Sequence, residues 1–130
     1  MRFDVDGLRV FLSGPMSGID DWNREAFAEA AAWCMEHGAI EVFDPADGAS
    51  KGPDNHSHEH WMRQTLHELT RWENGTKQED NRPHYDVLML LDGWWRSGGA
   101  NAERMVAGAC GIEVIELKDA MKWAEEVDDD

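Results

Sequence analysis

The chain has 130 residues, of which 42% are hydrophobic, so we expect one domain with a core. Its formal net charge of −15 at pH 7 repels nucleic acids and anionic membranes, so neither is an expected partner. No apolar stretch approaches the length of about 18 residues that a membrane helix needs. No signal peptide is visible at the N-terminus, so the sequence predicts a cytoplasmic protein.

The cysteines and tryptophans give a first view of the core. Cys34 and Cys110 each lie in an apolar pattern with helical spacing, which predicts two buried free thiols and no disulfide. The seven tryptophans are expected mainly in the core or in subunit contacts.

Strand and helix patterns alternate along the chain. In the first half they predict a strand over 8–13, a turn over 14–18, a helix capped by Asp20 or Asp21 and ended by Gly38, a strand over 40–43 and a loop over 46–57. In the second half they predict a helix over 58–72, a polar insertion over 73–84, a strand over 85–91, a helix over 100–110, a strand over 112–117, a helix over 118–127 and an acidic tail over 128–130.

This alternation predicts an α/β fold for a single domain over residues 1–127. We expect a small, doubly wound parallel sheet of the flavodoxin-like or Rossmann-like kind. It would have four to five strands, with helices on both faces. Ligands of such sheets bind at the carboxyl ends of the strands, where the loops over 13–18, 44–47 and 92–99 are expected to meet.

The segment Asp92–Glu103 carries the strongest functional signal. It follows the apolar strand pattern and places a glycine-rich turn, residues 97–99, before a helix. Backbone N–H groups in such a turn bind phosphate. The helix presents the carboxylate of Glu103 in its first turns, where the helix dipole is expected to keep it ionised. The segment therefore predicts a pocket that holds a nucleotide against a nucleophile.

Several motifs along the chain carry a resemblance. They are Val10–Gly18 (VFLSGPMSG), Phe43–Ala46 (FDPA), Trp61–Leu66 (WMRQTL), and Gly93, Trp94, Ser97, Gly99, Ala100 and Glu103. In order and spacing they resemble the nucleoside 2-deoxyribosyltransferase-like superfamily, most of all an uncharacterised branch common in bacteria and phages. The resemblance covers roughly residues 8–117, interrupted by the loop over 73–84.

The resemblance implies an enzyme that cleaves, or transfers a sugar at, the N-glycosidic bond of a 2'-deoxynucleoside or its 5'-monophosphate. Glu103 falls on the position of the family's nucleophile, a carboxylate that stabilises or bonds the oxocarbenium-like sugar. Ser97 stands six residues earlier, as the phosphate-binding serine does in the N-glycosidases acting on monophosphates. No metal or organic cofactor is implied, and family members suggest a homodimer or larger homo-oligomer.

The candidate substrate-binding residues follow the predicted strands. Loop hydroxyls and N–H groups would hold phosphate or sugar, and strand-end aspartates would position the substrate. A tryptophan of the 92–99 loop would stack on the base, although tryptophan pairs more often serve a core or subunit contact. The set is Ser13, Gly14, Met16, Ser17, Gly18, Asp44, Asp92, Trp94, Ser97, Gly98 and Gly99, with Glu103 as the catalytic residue.

Two positions depart from the family's pattern. Phe11 replaces the catalytic tyrosine, and Thr65 replaces an aspartate that handles the leaving base or the sugar. Threonine is not a useful general acid near neutral pH. Candidate substitutes are Asp44, His60, Glu68 and Asp92. The alternatives are a catalytically weakened nucleotide-binding or protein-interaction module on the same fold, and a ribonucleotide phosphoribohydrolase-like enzyme.

Some of the candidate site residues also have a purely structural interpretation. Ser97 also suits an ordinary N-cap, and an acidic residue such as Glu103 is favoured near a helix N-terminus by the dipole alone. The histidines of His56–His60 alternate by two and so do not share one helical face. They are interpreted as a polar loop entering a helix, without a metal.

Overall fold

The computed structural model describes residues 4–47, 57–72 and 82–128, and an all-parallel four-stranded sheet lies at their centre. The strands are β1 (Arg9–Ser13), β2 (Glu41–Phe43), β3 (Val87–Leu90) and β4 (Glu113–Glu116), in the spatial order β2-β1-β3-β4. The α-helices are α1 (Arg24–Glu36), α2 (His58–Leu69), α3 (Gly98–Ala109) and α4 (Leu117–Asp128), and 3-10 turns cover Asp20–Asn23 and Trp94–Arg96. The predicted α/β fold with a parallel sheet is confirmed.

Both faces of the sheet are covered by apolar side chains. Successive residues of a strand point to opposite faces, which is why the central strands β1 and β3 are apolar at every position but Ser13 and Arg9. One face packs against α1 and α4 through Val10, Leu12, Phe27, Ala30, Cys34, Met89, Ile115 and Ala120. The other packs against α2 and α3 through Phe11, Leu69, Leu88, Leu90, Ala107 and Ile112.

The strand order places the topological switch point between β1 and β3. The chain leaves β1 toward α1 on one face and leaves β3 toward α3 on the other, so a crevice opens between the two loops. Gly14 makes this geometry possible. A Cβ atom there would lie 2.9 Å from the Cβ of Leu91, so only glycine lets the loop after β1 pass so close to the end of β3.

The start of α1 differs from the prediction. Asp20 and Asp21 do not cap the helix, because both lie in the 3-10 turn that precedes it. The N-cap is Asn23, whose side chain makes no capping hydrogen bond. Asp21, Trp22 and Asn23 all have positive φ angles, of 53°, 56° and 61°.

Other boundaries also move. The helix α4 follows β4 directly and continues to Asp128, so Asp128 belongs to the helix and not to the predicted tail; residues 129–130 lie outside the described part. Both cysteines are free, and Cys34 is buried, but Cys110 is exposed at the end of α3, against the prediction. Burial raises the pKa of the Cys34 thiol to about 12.

The insertion over 73–84 is described only at its second end. There Trp72 and Pro83 form an antiparallel bridge, and the His84 N–H donates to the carbonyl of Arg71 at 2.8 Å. Residues 73–81, and 48–56 of the earlier loop, lie outside the described residues. Within the described ranges, no helix combines the length and apolarity needed to cross a membrane.

Candidate functional site

Glu103 lies in the second turn of α3, and its side chain meets the end of β1. The helix begins one turn earlier, where the Ser97 hydroxyl caps it by accepting from the Ala100 N–H at 3.0 Å. Glu103 is 7% exposed, and its Oε1 accepts a hydrogen bond of 2.6 Å from the hydroxyl of Ser13. A carboxylate on one element is thus held by a hydroxyl on another, 90 residues away in sequence.

The surroundings of Glu103 oppose its ionisation. Burial raises the pKa of this carboxyl group, while hydrogen bonds from Ser13 and Thr65 lower it by a smaller amount. Removal from water thus acts against the predicted effect of the helix dipole, which favours the ionised carboxylate, and that effect stays a prediction. A carboxyl group with this balance takes up and gives up a proton at a higher pH than an exposed glutamate.

Glu103 lines a cavity of about 810 Å³ at the carboxyl ends of the strands. Its walls come from the segment after β1, from the segment after β3 with the N-terminus of α3, and from α2. A volume of this size lies in the range of small-molecule sites, which is about 300–1,000 Å³. Among the predicted site residues, the cavity is lined by Gly14, Met16, Ser17, Asp92, Ser97, Gly98, Gly99 and Glu103.

The other predicted binding residues lie outside this lining. Ser13 is buried behind Glu103, and Gly18 lies in the loop after β1 with a φ of 79°. Asp44 caps its own turn, its Oδ1 accepting from the Ala46 N–H at 2.8 Å, and burial raises the pKa of its carboxyl group. Its neighbour Pro45 lines the cavity instead.

Trp94 is held by protein contacts rather than presented to the cavity. Its Nε1–H donates to Glu116 at 3.0 Å, and the guanidinium of Arg104 lies 5.4 Å from the centre of its ring. It packs against the core on the α2 and α3 face. These contacts favour the packing interpretation over base stacking for this tryptophan.

Sequence reasoning missed part of the cavity wall. Trp22 and Trp61 were expected in the core or in subunit contacts, yet both line the cavity. Arg96 also lines it, immediately before the capping serine. A cation beside a glycine-rich turn in so acidic a chain is a signal that could have identified it. The remaining lining residues outside the predicted site set are Pro15, Ile19, Asn23, Pro45, His58, Met62, Gly93 and Ala100, with Thr65.

The family described as Domain of unknown function (DUF4406) matches residues 8–116. The chain belongs to this family. The DUF4406 match runs from the residue before β1 to the last residue of β4, so it contains every residue that lines the cavity. No curated protein and no solved structure matches the chain significantly.

In this DUF4406 chain, the two departures from the expected pattern have different surroundings. Phe11 is fully buried, stacked on Phe43 with ring centres 4.8 Å apart and in edge contact with Tyr85 at 5.4 Å. Thr65 lines the cavity; its hydroxyl donates to the carbonyl of Met62 at 3.4 Å and lies close enough to Glu103 to lower the pKa of that carboxyl group. The position expected to hold an aspartate therefore still contacts the candidate nucleophile, through a group that does not titrate near neutral pH.

Of the four suggested substitutes for the missing acid, Asp92 alone lines the cavity within the described residues. Asp44 is occupied by its turn, and His60 lies 3.2 Å from Gln64 on α2. Glu68 accepts from Tyr85 and from Arg71 near the opposite end of α2, and these partners lower the pKa of its carboxyl group against the effect of burial.

A metal site was not expected from the histidines near the start of α2. His58 and His60 belong to the first turn of this helix, capped by Ser57, whereas His56 lies outside the described residues. Across 4–47, 57–72 and 82–128, no group of three or more histidine, cysteine or acidic residues is placed to hold a metal ion.

Proposed function

We propose that this protein cleaves, or transfers a sugar at, the N-glycosidic bond of a 2'-deoxynucleoside 5'-monophosphate or a 2'-deoxynucleoside. The observation that carries the proposal is the buried Glu103 carboxylate, fixed by Ser13 at the switch point and facing the same cavity as the N-terminus of α3. The resemblance to the deoxyribosyltransferase-like superfamily supports the same assignment, since Glu103 stands at its nucleophile position.

The phosphate end of the substrate is assigned to the start of α3. The hydroxyl of Ser97 accepts from Ala100, which leaves its own proton available to donate to a phosphate oxygen. The N–H groups of Gly98 and Gly99 lie in the unpaired first turn of the helix, and Arg96 adds a positive charge to the same wall. These groups attract an anionic phosphate locally, although the net negative charge of the whole chain repels anions.

The chemistry then follows from the position of Glu103. Its ionised carboxylate attacks the anomeric carbon as the bond to the base breaks, and the bonding electrons leave with the base nitrogen. The base takes a proton from Asp92 or from water. Water, or a second base, next attacks the anomeric carbon as its bond to Glu103 breaks, and the attacking group gives up its proton to Asp92 or to solvent, which completes hydrolysis or base exchange.

A nucleotide-binding module with little catalysis is the second candidate function. It is favoured by Phe11, which is enclosed by aromatic rings and brings no hydroxyl to the site, and by Thr65 in place of an acid. Burial also reduces the ionised fraction of Glu103 at a given pH. All three features weaken the reaction while leaving the cavity and the α3 N-terminus intact.

Incubation with the four 2'-deoxynucleoside 5'-monophosphates and the matching nucleosides separates these functions. Free base, detected by chromatography, is expected from the enzyme and not from the module. The Glu103→Gln variant should lose base release but keep ligand binding, and Glu29→Gln on the exposed side of α1 is the matched control. Binding without base release from any of the compounds would exclude the enzyme and support the module.

A further inference from the structure

Three consecutive residues before α1 adopt a left-handed backbone conformation. Asp21, Trp22 and Asn23 have φ and ψ angles of 53° and 34°, 56° and 25°, and 61° and 27°. Asparagine and aspartate tolerate this region, but a bulky residue such as tryptophan rarely occupies it. Strained backbone of this kind persists only where the surroundings fix it, and it is concentrated at ligand sites.

Polar contacts hold this left-handed segment in place. The Asn23 side-chain amide donates to the carbonyl of Pro15 at 3.0 Å, which ties the segment back to the loop after β1. The Trp22 N–H donates to Ile19 at 3.0 Å, and Arg24 forms an ion pair with Asp21 at 3.1 Å. Asn23 therefore anchors the turn to the loop after β1, and Trp22 lies immediately before this anchor.

This strained backbone places an aromatic side chain, that of Trp22, at the cavity. Trp22 lines the same cavity as Glu103, and the neighbouring lining from Met16 and Ile19 is apolar. Across the cavity, α2 contributes Trp61 and Met62. A flat heteroaromatic group is the chemistry that such a wall recognises, because stacking on tryptophan requires only a π face.

We infer that Trp22 is the platform on which the base of the nucleotide stacks, and that the left-handed segment Asp21–Asn23 exists to present it. This assignment rests on the proposed function for the identity of the ligand. It gives the cavity two recognition elements: the start of α3 binds the phosphate, and Trp22 binds the base.

Binding measurements on ligands with and without a base test the assignment. Calorimetry in a Glu103→Gln background, which prevents turnover, would compare the 2'-deoxynucleoside 5'-monophosphates with 2-deoxyribose 5-phosphate. Trp22→Ala should weaken nucleotide binding by about 5- to 150-fold, the range for loss of one base–aromatic stack, and leave the sugar phosphate unchanged. Trp22→Phe should retain binding within a few-fold, because a ring remains.

Two further variants separate the platform from the fold. Asn23→Gly accepts the positive φ but removes the bond to Pro15, so nucleotide binding should weaken while the chain stays folded. Trp95→Ala is the matched control, since Trp95 is 51% exposed and lies outside the cavity lining; it should change neither ligand's affinity.

The outcomes distinguish the two proposals. Base-selective loss in Trp22→Ala supports the platform even if the unmodified protein releases no base, a result that would defeat the proposed reaction alone. The platform is overturned if Trp22→Ala binds nucleotides normally, or if it loses the base-free sugar phosphate to the same extent. It is also overturned if the Glu103→Gln protein binds no nucleotide at all.

Discussion

The hydroxyl of Ser13 donates a 2.6 Å hydrogen bond to the carboxylate of Glu103, and both side chains are buried. The two residues occupy the end of β1 and the second turn of α3, so the sheet itself fixes the position of the candidate nucleophile. Ser13 therefore acts on Glu103, whereas the sequence suggested a direct role in holding the substrate.

Substitution of Ser13 by alanine should shift the pH dependence of base release. The hydroxyl stabilises the ionised carboxylate and lowers its pKa, so its removal adds to the rise that burial already causes. If Glu103 must be ionised to react, the acidic limb of the kcat/KM profile moves to higher pH. Thr65→Val should shift the limb in the same direction, since the Thr65 hydroxyl has the same effect. An acidic limb that stays in place, or moves to lower pH, would contradict this relationship.

Substitution of Glu103 by glutamine should stabilise the protein at neutral pH. The folded-state pKa of Glu103 is raised, so the protonated form is favoured by folding, and that contribution is lost as the pH rises through the folded-state pKa. Glutamine cannot ionise and avoids this loss. The expected rise in Tm is about 4 °C for each kcal/mol gained in a domain of this size.

The same comparison at lower pH provides the check. Thermal unfolding followed by circular dichroism should show the Tm difference between Glu103→Gln and the unmodified protein shrinking as the pH falls toward the ordinary range of glutamate. The exposed Glu29→Gln control should show no such trend. A glutamine variant that is less stable at neutral pH would mean that Glu103 is not penalised by its burial.

Two substitutions of Ser97 should distinguish its role in capping α3 from its proposed role in binding phosphate. Ser97→Ala removes the cap on Ala100 and should cost about 0.5–2 kcal/mol of stability, together with some affinity for monophosphates. Ser97→Asp keeps a strong capping group but places a negative charge beside the phosphate, so monophosphate binding should be lost while nucleoside binding and stability are retained.

The matched control for this prediction is Ser57, which caps α2 by accepting from the His60 N–H at 3.1 Å and does not line the cavity. Ser57→Ala should cost a similar stability without changing phosphate affinity. Titration calorimetry with monophosphates and nucleosides gives the comparison. Equal losses for both ligands in Ser97→Asp would remove Ser97 from the phosphate site.

Phe11→Tyr should not increase base release, although the superfamily resemblance leads one to expect a catalytic tyrosine at this position. The ring is enclosed by Phe43 and Tyr85 outside the cavity lining, so the new hydroxyl is buried without a planned partner. Such a group costs about 1–3 kcal/mol, measurable by urea denaturation. An increase in base release in this variant would show instead that position 11 reaches the substrate.

Local patterns were enough to predict the fold. The apolar run that contains β3 indicated a strand buried on both faces, and its four strand residues are all buried. Helical spacing of Phe27, Ala30 and Cys34 likewise placed all three against the sheet. The site segment was found because the glycine-rich turn, Ser97 and Glu103 lie close together in sequence.

Contacts between distant segments were not predictable in the same way. The bond between Ser13 and Glu103 joins residues far apart in the chain, and nothing in the local sequence of Ser13 distinguishes a buried donor from a loop hydroxyl. Asp20 and Asp21 have the composition of an N-cap, yet tertiary contacts such as that of Asn23 with Pro15 impose a left-handed turn there. Tryptophan is usually expected in the core because it is large and apolar, so the sequence did not predict that Trp22 and Trp61 line the cavity.

The sheet separates this protein into two compartments with different freedom to change. Most of the cavity lining comes from the loops after the strands and from α2 and α3, while α1 and α4 pack with β1 and β3 around Phe27, Ala30 and Ala120 on the reverse side; Met16 and the start of α1 connect the two. Substitutions on that reverse side that leave Met16 and the start of α1 untouched need not trade stability against ligand recognition. Stabilising substitutions on one side of the sheet can therefore be combined with substitutions in the cavity that change ligand specificity.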